Sequence, residues 1–317
     1  MIYLILFVVL LGVELAYFKL ADKFNIIDKP NQRSSHTSIT LRGGGIIFYF
    51  GALLYFLLCG FNYPYCMVGW TLISLISFID DVRDSSRLVR LACHLTAMLL
   101  MFYEWGLFTN FPIWYLVVAL ICCVGIINAF NFLDGINGMT GGYSMVLLLA
   151  LMVANYYEVH FIDSDFLRVV FMAVLVFNIF NFRVKAKCFA GDVGAITIAF
   201  IIIFALGKLI LATGDLTYLI FLVVYGVDSV LTIVHRLMLK ENIFVAHRKH
   251  AYQILANELG WKHVSVSSFY MAIQSVIIFG YFMISPELHW YYFVGVILLL
   301  SVAYILFMKR NFKLHQA

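Results

Sequence analysis

The chain has 317 residues, of which 64% are hydrophobic and only 12% are charged, and its formal net charge is +4 at pH 7. Soluble domains are typically about 45–50% apolar and roughly 25% charged, so this composition excludes a water-soluble globular fold. The net positive charge is too small to indicate a nucleic-acid-binding surface.

Long apolar runs fill nearly the whole sequence. Because a bilayer core of about 30 Å requires roughly 20 apolar residues per helix, the runs predict about eleven transmembrane helices. We find no internal repeat and no separate soluble region, so residues 1–317 are predicted to form a single all-α polytopic membrane domain. In chain order, the helices are expected at 1–19, 43–60, 64–79, 90–106, 112–130, 140–157, 166–182, 193–212, 216–235, 264–284 and 289–308.

The basic residues lie almost entirely on one side of this predicted bundle. All of the 21 Lys and Arg residues except Arg168 and Lys208 fall in alternate loops or in the C-terminal tail. The positive-inside rule places these segments in the cytoplasm. No basic residue precedes the first apolar run, whereas Lys19 and Lys23 follow it, which predicts an uncleaved first helix with its N-terminus outside.

Each predicted cytoplasmic loop, apart from the tail, carries a cluster of polar residues beside a helix end. Ionisable groups at such depths are costly when they face lipid, so we expect the helix ends to converge around one polar, cytoplasmic cleft. The clusters are Asp28-Lys-Pro-Asn-Gln-Arg33-Ser-Ser-His36 with Arg42-Gly43-Gly44-Gly45, Asp80-Asp81 with Arg83, Asp84, Arg87 and Arg90, Asn128-x-x-Asn131-x-x-Asp134-Gly135-x-Asn137, Gly191-Asp192-x-Gly194, and His247-Arg248-Lys249-His250.

Taken singly, most clusters have an ordinary structural explanation. Asp80-Asp81 could be a solvated helix end, the segment at Asp192 a simple turn, and the histidines interfacial side chains. Asn128, Asn131 and Asp134 are more informative, because residues three apart share one helical face. A C-terminal cap at the following glycine is the alternative there. Five clusters in loops on one side favour a functional site.

The residue types in these clusters indicate phosphoryl-transfer chemistry. Carboxylates beside amide oxygens suit Mg²⁺, which prefers oxygen ligands and often bridges to substrate phosphates. Arg and Lys side chains hold phosphate oxygens, with Arg able to bind in bidentate fashion. Phosphoryl transfer relies mainly on positioning and charge neutralisation, which such a cleft could supply.

The ordered set of motifs from Asp28 to His250 resembles the polyprenyl-phosphate N-acetylhexosamine-1-phosphate transferase family, also called glycosyltransferase family 4. The resemblance implies a multi-pass enzyme of the bacterial inner membrane with a cytoplasmic active site. It implies transfer of an N-acetylamino-sugar 1-phosphate from a UDP-sugar to undecaprenyl phosphate, with release of UMP. The implied cofactor is Mg²⁺, with Mn²⁺ as a substitute, and association as a homodimer is compatible with this family.

The resemblance also assigns roles to individual residues. Asp192 would be the main metal ligand, helped by Asn131, while Asp80 and Asp81 would lie beside the metal and the lipid phosphate. The carboxylates with an implied catalytic role are Asp80, Asp81 and Asp192. The residues with an implied substrate-binding role are Asn128 and Asp134, Asn137 for the uracil, Arg90 for the acceptor phosphate, and His247, Arg248 and His250 for the pyrophosphate or sugar.

Two departures from the family pattern bear on the donor. Asn137 stands where many bacterial members have Asp, and the last loop reads His-Arg-Lys-His-Ala-Tyr-Gln rather than a compact run of histidines. The latter form resembles the O-antigen-initiating branch, whose donors include 6-deoxy N-acetylhexosamines such as FucNAc and QuiNAc. The sugar stays open among GlcNAc, GalNAc, FucNAc and QuiNAc.

Two further alternatives stay open. Asp80 or Asp81 could act as a general base, or both could only steer the acceptor or support the metal. A membrane transporter or lipid flippase could also use a polar cleft. Transporters tend to place ionisable residues near the midplane on broken helices, often within internal repeats, and this sequence shows few such residues and no repeat.

Overall fold

The computed structural model describes residues 2–30, 39–83, 85–243, 245 and 247–311. Within these ranges the chain is almost entirely helical, and its two strands, Ile27–Asp28 and Thr40–Leu41, form a short antiparallel pair. The predicted all-α membrane architecture is confirmed. Residues 31–36 of the first sequence cluster, which include Arg33 and His36, and Asp84 of the second cluster lie outside the described residues.

Every predicted transmembrane segment forms a helix. Among the described residues, nine helices are long and apolar enough to cross a membrane, and the two remaining segments are Gly44–Leu58 and Arg87–Glu104. The chain is thus a multi-pass membrane protein. The α-helices are α1 Ile2–Lys23, α2 Ile47–Leu58, α3 Pro64–Val82, α4 Arg87–Glu104, α5 Leu107–Asn110, α6 Ile113–Leu133, α7 Met139–Tyr157, α8 Ser164–Asn181, α9 Gly191–Thr213, α10 Val223–Met238, α11 Ala251–Gln253, α12 His263–Met283 and α13 His289–Arg310.

Helix α9 is the centre of the bundle. It is apolar on all sides, and 72% of its membrane-spanning window is buried, whereas the corresponding value for α13 is 17%. A helix without a polar face is stable only when other helices or lipid surround it, and α9 is surrounded by α2, α3, α6 and α7. The N-terminus of α9 is therefore held at the meeting point of several elements.

A run of three glycines seats the chain against the start of α9. The N–H of Gly44 donates to Phe189 O at 2.9 Å, and the N–H of Gly45 donates to Ala190 O at 3.1 Å. A Cβ atom added to Gly45 would lie 2.3 Å from the Cα of Gly194. Only glycine permits the two backbone segments to lie this close. The triplet therefore allows close packing that brings the preceding Arg42 beside α9.

Replacing Gly45 by alanine is expected to destabilise the protein by about 1–3 kcal/mol, because the new methyl group meets backbone atoms that cannot rotate away. The matched control is Gly12→Ala in α1, where an added Cβ meets nothing within 4 Å. Thermal unfolding of both variants in detergent would test this prediction. Equal melting temperatures for the two variants would contradict the packing described here.

Candidate active site

Asp81 joins α3 to the N-terminus of α9. Its side chain is fully buried, and Arg42 Nε donates to its Oδ1 at 2.6 Å. The same carboxylate accepts the backbone N–H groups of Asp192 and Val193, each at 3.0 Å. The first N–H groups of a helix lack partners within the helix, and the helix dipole favours a negative charge there. Asp81 therefore caps α9 from a different helix.

Asp192 lies on the first turn of α9 and is the least engaged carboxylate of this group. Arg42 Nη2 is 3.6 Å from its Oδ1, so one guanidinium group bridges Asp81 and Asp192. The Asp192 side chain is 25% exposed, and within the described ranges its carboxylate accepts no hydrogen bond. Its oxygens are thus available to a ligand.

Asp80 has a different environment from its neighbour in sequence. Its Oδ1 accepts from the N–H of Ser85 at 3.0 Å and from the Ser85 hydroxyl at 2.6 Å. Its Oδ2 forms an ion pair with Arg90 on α4. The two acids of the Asp80-Asp81 pair therefore hold separate elements, one at the start of α4 and the other at the start of α9.

Asp134 directly follows α6 and belongs to the same electrostatic cluster. Thr140 Oγ1 donates to its Oδ1 at 2.6 Å. The pKa of Asp134 is raised to about 8, mainly by burial and in addition by the carboxylates of Asp192 and Asp81, while the Thr140 hydrogen bond and Arg42 oppose the shift. A carboxyl group held this way is mostly protonated at neutral pH until a cation or donor compensates its charge.

This pKa predicts an effect of pH on stability. An acid whose folded-state pKa lies above its unfolded value of about 3.9 makes the folded state bind more protons, so stability falls as pH rises from about 4 to about 8. Asp134→Asn removes that contribution. In EDTA, the difference between the melting temperatures of the variant and of wild type is expected to shift in favour of the variant as the pH rises from about 5 to about 8. A difference that is independent of pH would contradict the assignment.

The amide residues of the third cluster have unequal environments. Asn137 is only 5% exposed, and its Nδ2 donates to the carbonyl groups of Arg183 and Val184 at 2.8 and 3.2 Å. Asn131 is half-buried and Asn128 is exposed, and neither makes a hydrogen bond with the described residues. Contact of Asn137 with uracil stays a prediction, and its structural role is to fix the loop after α8.

The last loop is built around Arg236, which is 3% exposed. Its guanidinium group donates to Glu241 Oε2 at 3.1 Å and to the carbonyl groups of Asn242 and Val245 at 2.7 and 3.0 Å. Glu241 also pairs with Lys249. The loop is thus folded around a buried cation, and Arg248 is half-buried within it.

The histidines of this loop pack against the end of α6. The rings of His247 and His250 lie 4.9 Å apart, and that of His250 lies 6.0 Å from the Phe132 ring. Tyr252 donates to Phe132 O at 2.8 Å. Burial, with His250 and Arg236 nearby, lowers the pKa of His247 to about 3, so this imidazole is neutral at physiological pH. The fifth cluster therefore adjoins the third.

These contacts bring most of the predicted residues to one region. Electrostatic interactions connect Asp192 with Asp80, Asp81, Arg42 and Arg90, and connect Asp134 with both Asp81 and Asp192. The last loop joins through Phe132 and Tyr252. Among the described residues, the side chains of Asn128, Asn131 and Asn137 make no hydrogen bond to the carboxylates of this cluster.

The donor set is compatible with Mg²⁺. Within the described part of the chain, four carboxyl groups, those of Asp80, Asp81, Asp134 and Asp192, interact with the guanidinium groups of Arg42 and Arg90, so carboxyl groups outnumber guanidinium groups in this cluster. The described residues contain no group of three or more His, Cys, Asp or Glu side chains arranged to hold a metal. Mg²⁺ commonly uses one or two carboxylates together with water and substrate phosphates, so the available oxygens of Asp192 fit this ion.

Two residues of this region were not assigned from the sequence. Arg42 bridges two carboxylates of the cluster, and its position directly before three glycines was the available signal. Asp228 in α10 contacts His250 through a 3.4 Å approach of Nδ1 to Oδ1. A single acid within an apolar helix was the signal there.

Comparison with known proteins agrees with the geometry. Residues 63–210 match the family model described as glycosyl transferase family 4. The chain is 26% identical to an undecaprenyl-phosphate alpha-N-acetylglucosaminyl 1-phosphate transferase of Thermotoga maritima, over 76% of this chain and 77% of the relative. It is 26% identical to a probable undecaprenyl-phosphate N-acetylglucosaminyl 1-phosphate transferase of Bacillus subtilis, over 75% and 71% of the two chains.

A third relative extends the comparison to another polyprenyl carrier. The chain is 30% identical to a decaprenyl-phosphate N-acetylglucosaminephosphotransferase of Mycolicibacterium smegmatis, over 56% of this chain and 52% of the relative. The matched region in the family model contains Asp80, Asp81, Asp134 and Asp192. These matches confirm the resemblance inferred from the motifs: the chain is similar to polyprenyl-phosphate N-acetylhexosamine-1-phosphate transferases and, over residues 63–210, to glycosyl transferase family 4.

Proposed function

We propose that this protein transfers an N-acetylamino-sugar 1-phosphate from a UDP-sugar to undecaprenyl phosphate, releasing UMP. The observation that carries the proposal is the convergence of Asp81, Arg42, Asp134 and Asp192 beside a histidine-containing loop. The names of the relatives, which are N-acetylglucosaminyl 1-phosphate transferases acting on polyprenyl phosphates, support the same reaction.

The reaction is a single displacement at phosphorus. An oxygen of the acceptor phosphate forms a bond to the β-phosphorus of the UDP-sugar, and the bond from that phosphorus to the bridging oxygen breaks. The bonding electrons pass to the bridging oxygen, which leaves as part of UMP. A phosphate monoester has a second pKa near 6, so the acceptor is largely dianionic at neutral pH and needs little help from a general base.

The contacts of the acidic pair favour positioning over base catalysis. Asp80 is engaged by Ser85 and Arg90, and Asp81 by Arg42 and the start of α9. Each oxygen of the two carboxylates already accepts at least one hydrogen bond, which favours a positioning role. We infer that Asp81 and Arg42 hold Asp192 in place, while Asp80 orients Arg90 towards the acceptor phosphate.

The remaining residues would bind the donor. Asp192 and Asn131 would hold Mg²⁺, which when bound would neutralise charge on the diphosphate. The neutral imidazole of His247, together with Arg248 and His250, would contact the pyrophosphate or the sugar. Asn137 would lie near the uracil, where its hydrogen bonds to the loop after α8 fix its orientation.

The proposal includes a location and a pathway. We place the site on the cytoplasmic side and the N-terminus outside, because alternate loops carry nearly all of the basic residues. The product would begin a lipid-linked cell-surface glycan of the O-antigen or lipopolysaccharide type. The His-Arg-Lys-His-Ala-Tyr-Gln sequence of the last loop supports that branch.

The test is release of UMP by purified protein given undecaprenyl phosphate and one donor from a panel of UDP-GlcNAc, UDP-GalNAc, UDP-FucNAc and UDP-QuiNAc. We expect UMP release that requires both the lipid and Mg²⁺, stops with EDTA and favours one donor. A transporter or flippase would release no UMP from any donor, and that result would refute the proposal.

A further inference from the structure

Asp228 is a buried acid that the proposed reaction does not use directly. It lies within α10, on the buried side of the helix that also carries Ser229, Thr232 and Arg236, and it is only 3% exposed. A carboxylate at such a position is costly unless hydrogen bonds or an opposite charge compensate it. Its partners therefore show what the residue holds in place.

Four groups surround the Asp228 carboxylate. Oδ1 accepts the backbone N–H of Ala251 at 3.0 Å and the hydroxyl of Thr232 at 3.2 Å. Oδ2 accepts the hydroxyl of Tyr270 at 2.7 Å. The fourth group is the imidazole of His250, whose Nδ1 lies 3.4 Å from Oδ1. Two of the four partners, His250 and Ala251, are consecutive residues of the last loop.

His250 faces Asp228 with one ring nitrogen and points the other away from it. The residue is 2% exposed, its Nδ1 lies 3.4 Å from Asp228 Oδ1, and neither ring nitrogen makes a hydrogen bond with the described residues. The two nitrogens of an imidazole point in nearly opposite directions, so contact of Nδ1 with Asp228 turns Nε2 away from α10. A carboxylate beside Nδ1 favours the tautomer with the proton on that nitrogen, which leaves the lone pair of Nε2 available to a ligand.

A purely structural explanation is that Asp228 only anchors the loop to the bundle. Its contacts with Thr232 on α10 and Tyr270 on α12 serve that purpose. Anchoring alone, however, would not require the imidazole, because the N–H of Ala251 already ties the loop to the same oxygen. The buried and unpaired Nε2 of His250 is a second observation, and it points to a ligand.

We propose that Asp228 is a positioning residue that orients His250 and favours a proton on its Nδ1, so that Nε2 accepts a hydrogen bond from a hydroxyl or amide group of the donor sugar. This inference rests on the proposed function. It assigns to α10 a part in the transfer, although Asp228 itself touches no substrate.

The test is a double-mutant cycle on purified enzyme, with kcat and KM for the preferred UDP-sugar measured for each variant. Asp228→Asn is expected to lower kcat/KM by roughly 10- to 100-fold, as is usual when a residue that orients a functional histidine is changed. In a His250→Ala background the same change is expected to have less than about a 3-fold effect, because the group that Asp228 acts through is gone.

Tyr270→Phe is the matched control. It removes one hydrogen bond from the same carboxylate but leaves the contact between Asp228 and His250 intact, so kcat/KM is expected to stay within about 3-fold of wild type. A structural anchor would give equal effects of Asp228→Asn in the two backgrounds, and that additivity would overturn the inference. Turnover by wild type shows that the proposed function holds in either case, whereas its absence would refute both.

A second variant covers the case in which Asp228→Asn fails to fold. His250→Asn places an amide near the position of Nδ1, which preserves a donor to Asp228, and removes Nε2. We expect this variant to melt near wild type and to lose about as much kcat/KM as His250→Ala. Full activity of His250→Asn would overturn the inference, since no group would then remain where Nε2 is required.

Discussion

Asp192→Asn is expected to lower kcat by more than roughly 100-fold without unfolding the protein. Changing a residue that only supports a metal ligand typically lowers metal affinity or activity by about 10- to 100-fold. Loss of the ligand itself should therefore lower activity further. The asparagine keeps the shape of the side chain and the backbone N–H that donates to Asp81. The measurement is single-donor turnover at saturating Mg²⁺, together with a melting curve for each preparation.

The matched control is Asp165→Asn. Asp165 lies at the opposite end of α8 from the cluster, where its half-exposed carboxylate pairs with Arg168. Exposed ion pairs contribute about 0–1 kcal/mol, so this variant should retain wild-type turnover and melting temperature. Equal losses for the two variants would mean that charge removal affects the protein generally. Full activity of Asp192→Asn would contradict the role given to Asp192.

Arg42→Ala is expected to have the second-largest effect, and it should lower both activity and stability. The change removes the cation shared by Asp81 and Asp192 and leaves the fully buried Asp81 carboxylate without its charged partner. Removing one member of a buried pair is destabilising because the other charge stays desolvated. We expect a loss of kcat/KM of roughly 100-fold, similar to loss of a charge-stabilising group in other active sites, and a melting temperature lowered by several degrees.

Arg168→Ala provides the comparison for this variant. It removes an arginine from an exposed ion pair at the other end of the bundle. Because solvent screens that pair, the melting temperature should change little and turnover should not change. If Arg42→Ala behaved like Arg168→Ala in both measurements, the bridge between Asp81 and Asp192 would have no energetic or functional importance.

The sequence predicted the helices well because their determinant is local. A run of about 20 apolar residues can satisfy its backbone only as a helix in a bilayer, whatever its neighbours are. The segments predicted at 193–212 and 264–284 therefore match Gly191–Thr213 and His263–Met283 closely. The convergence of the polar clusters was also predictable, since ionisable groups at helix ends avoid lipid.

The pairing of individual side chains was not predictable in the same way. Neighbouring residues on a helix face different directions, and Asp80 and Asp81 accordingly bind different arginines within the same cluster. Which arginine each acid meets depends on how α3 packs against α4 and α9. The capping of α9 by Asp81, and of the last loop by Asp228, likewise arises from packing between helices distant in sequence.

The most direct test of the account is to follow the β-phosphate of the donor. Purified wild-type protein would receive undecaprenyl phosphate, Mg²⁺ and UDP-GlcNAc, or the donor preferred in the panel, carrying radioactive phosphorus at the β-position. The account predicts that the label moves into the lipid fraction as unlabelled UMP is released in equal amount, and that Asp192→Asn abolishes both. Label retained in water-soluble UDP, or equal transfer by the Asp192→Asn variant, would contradict it.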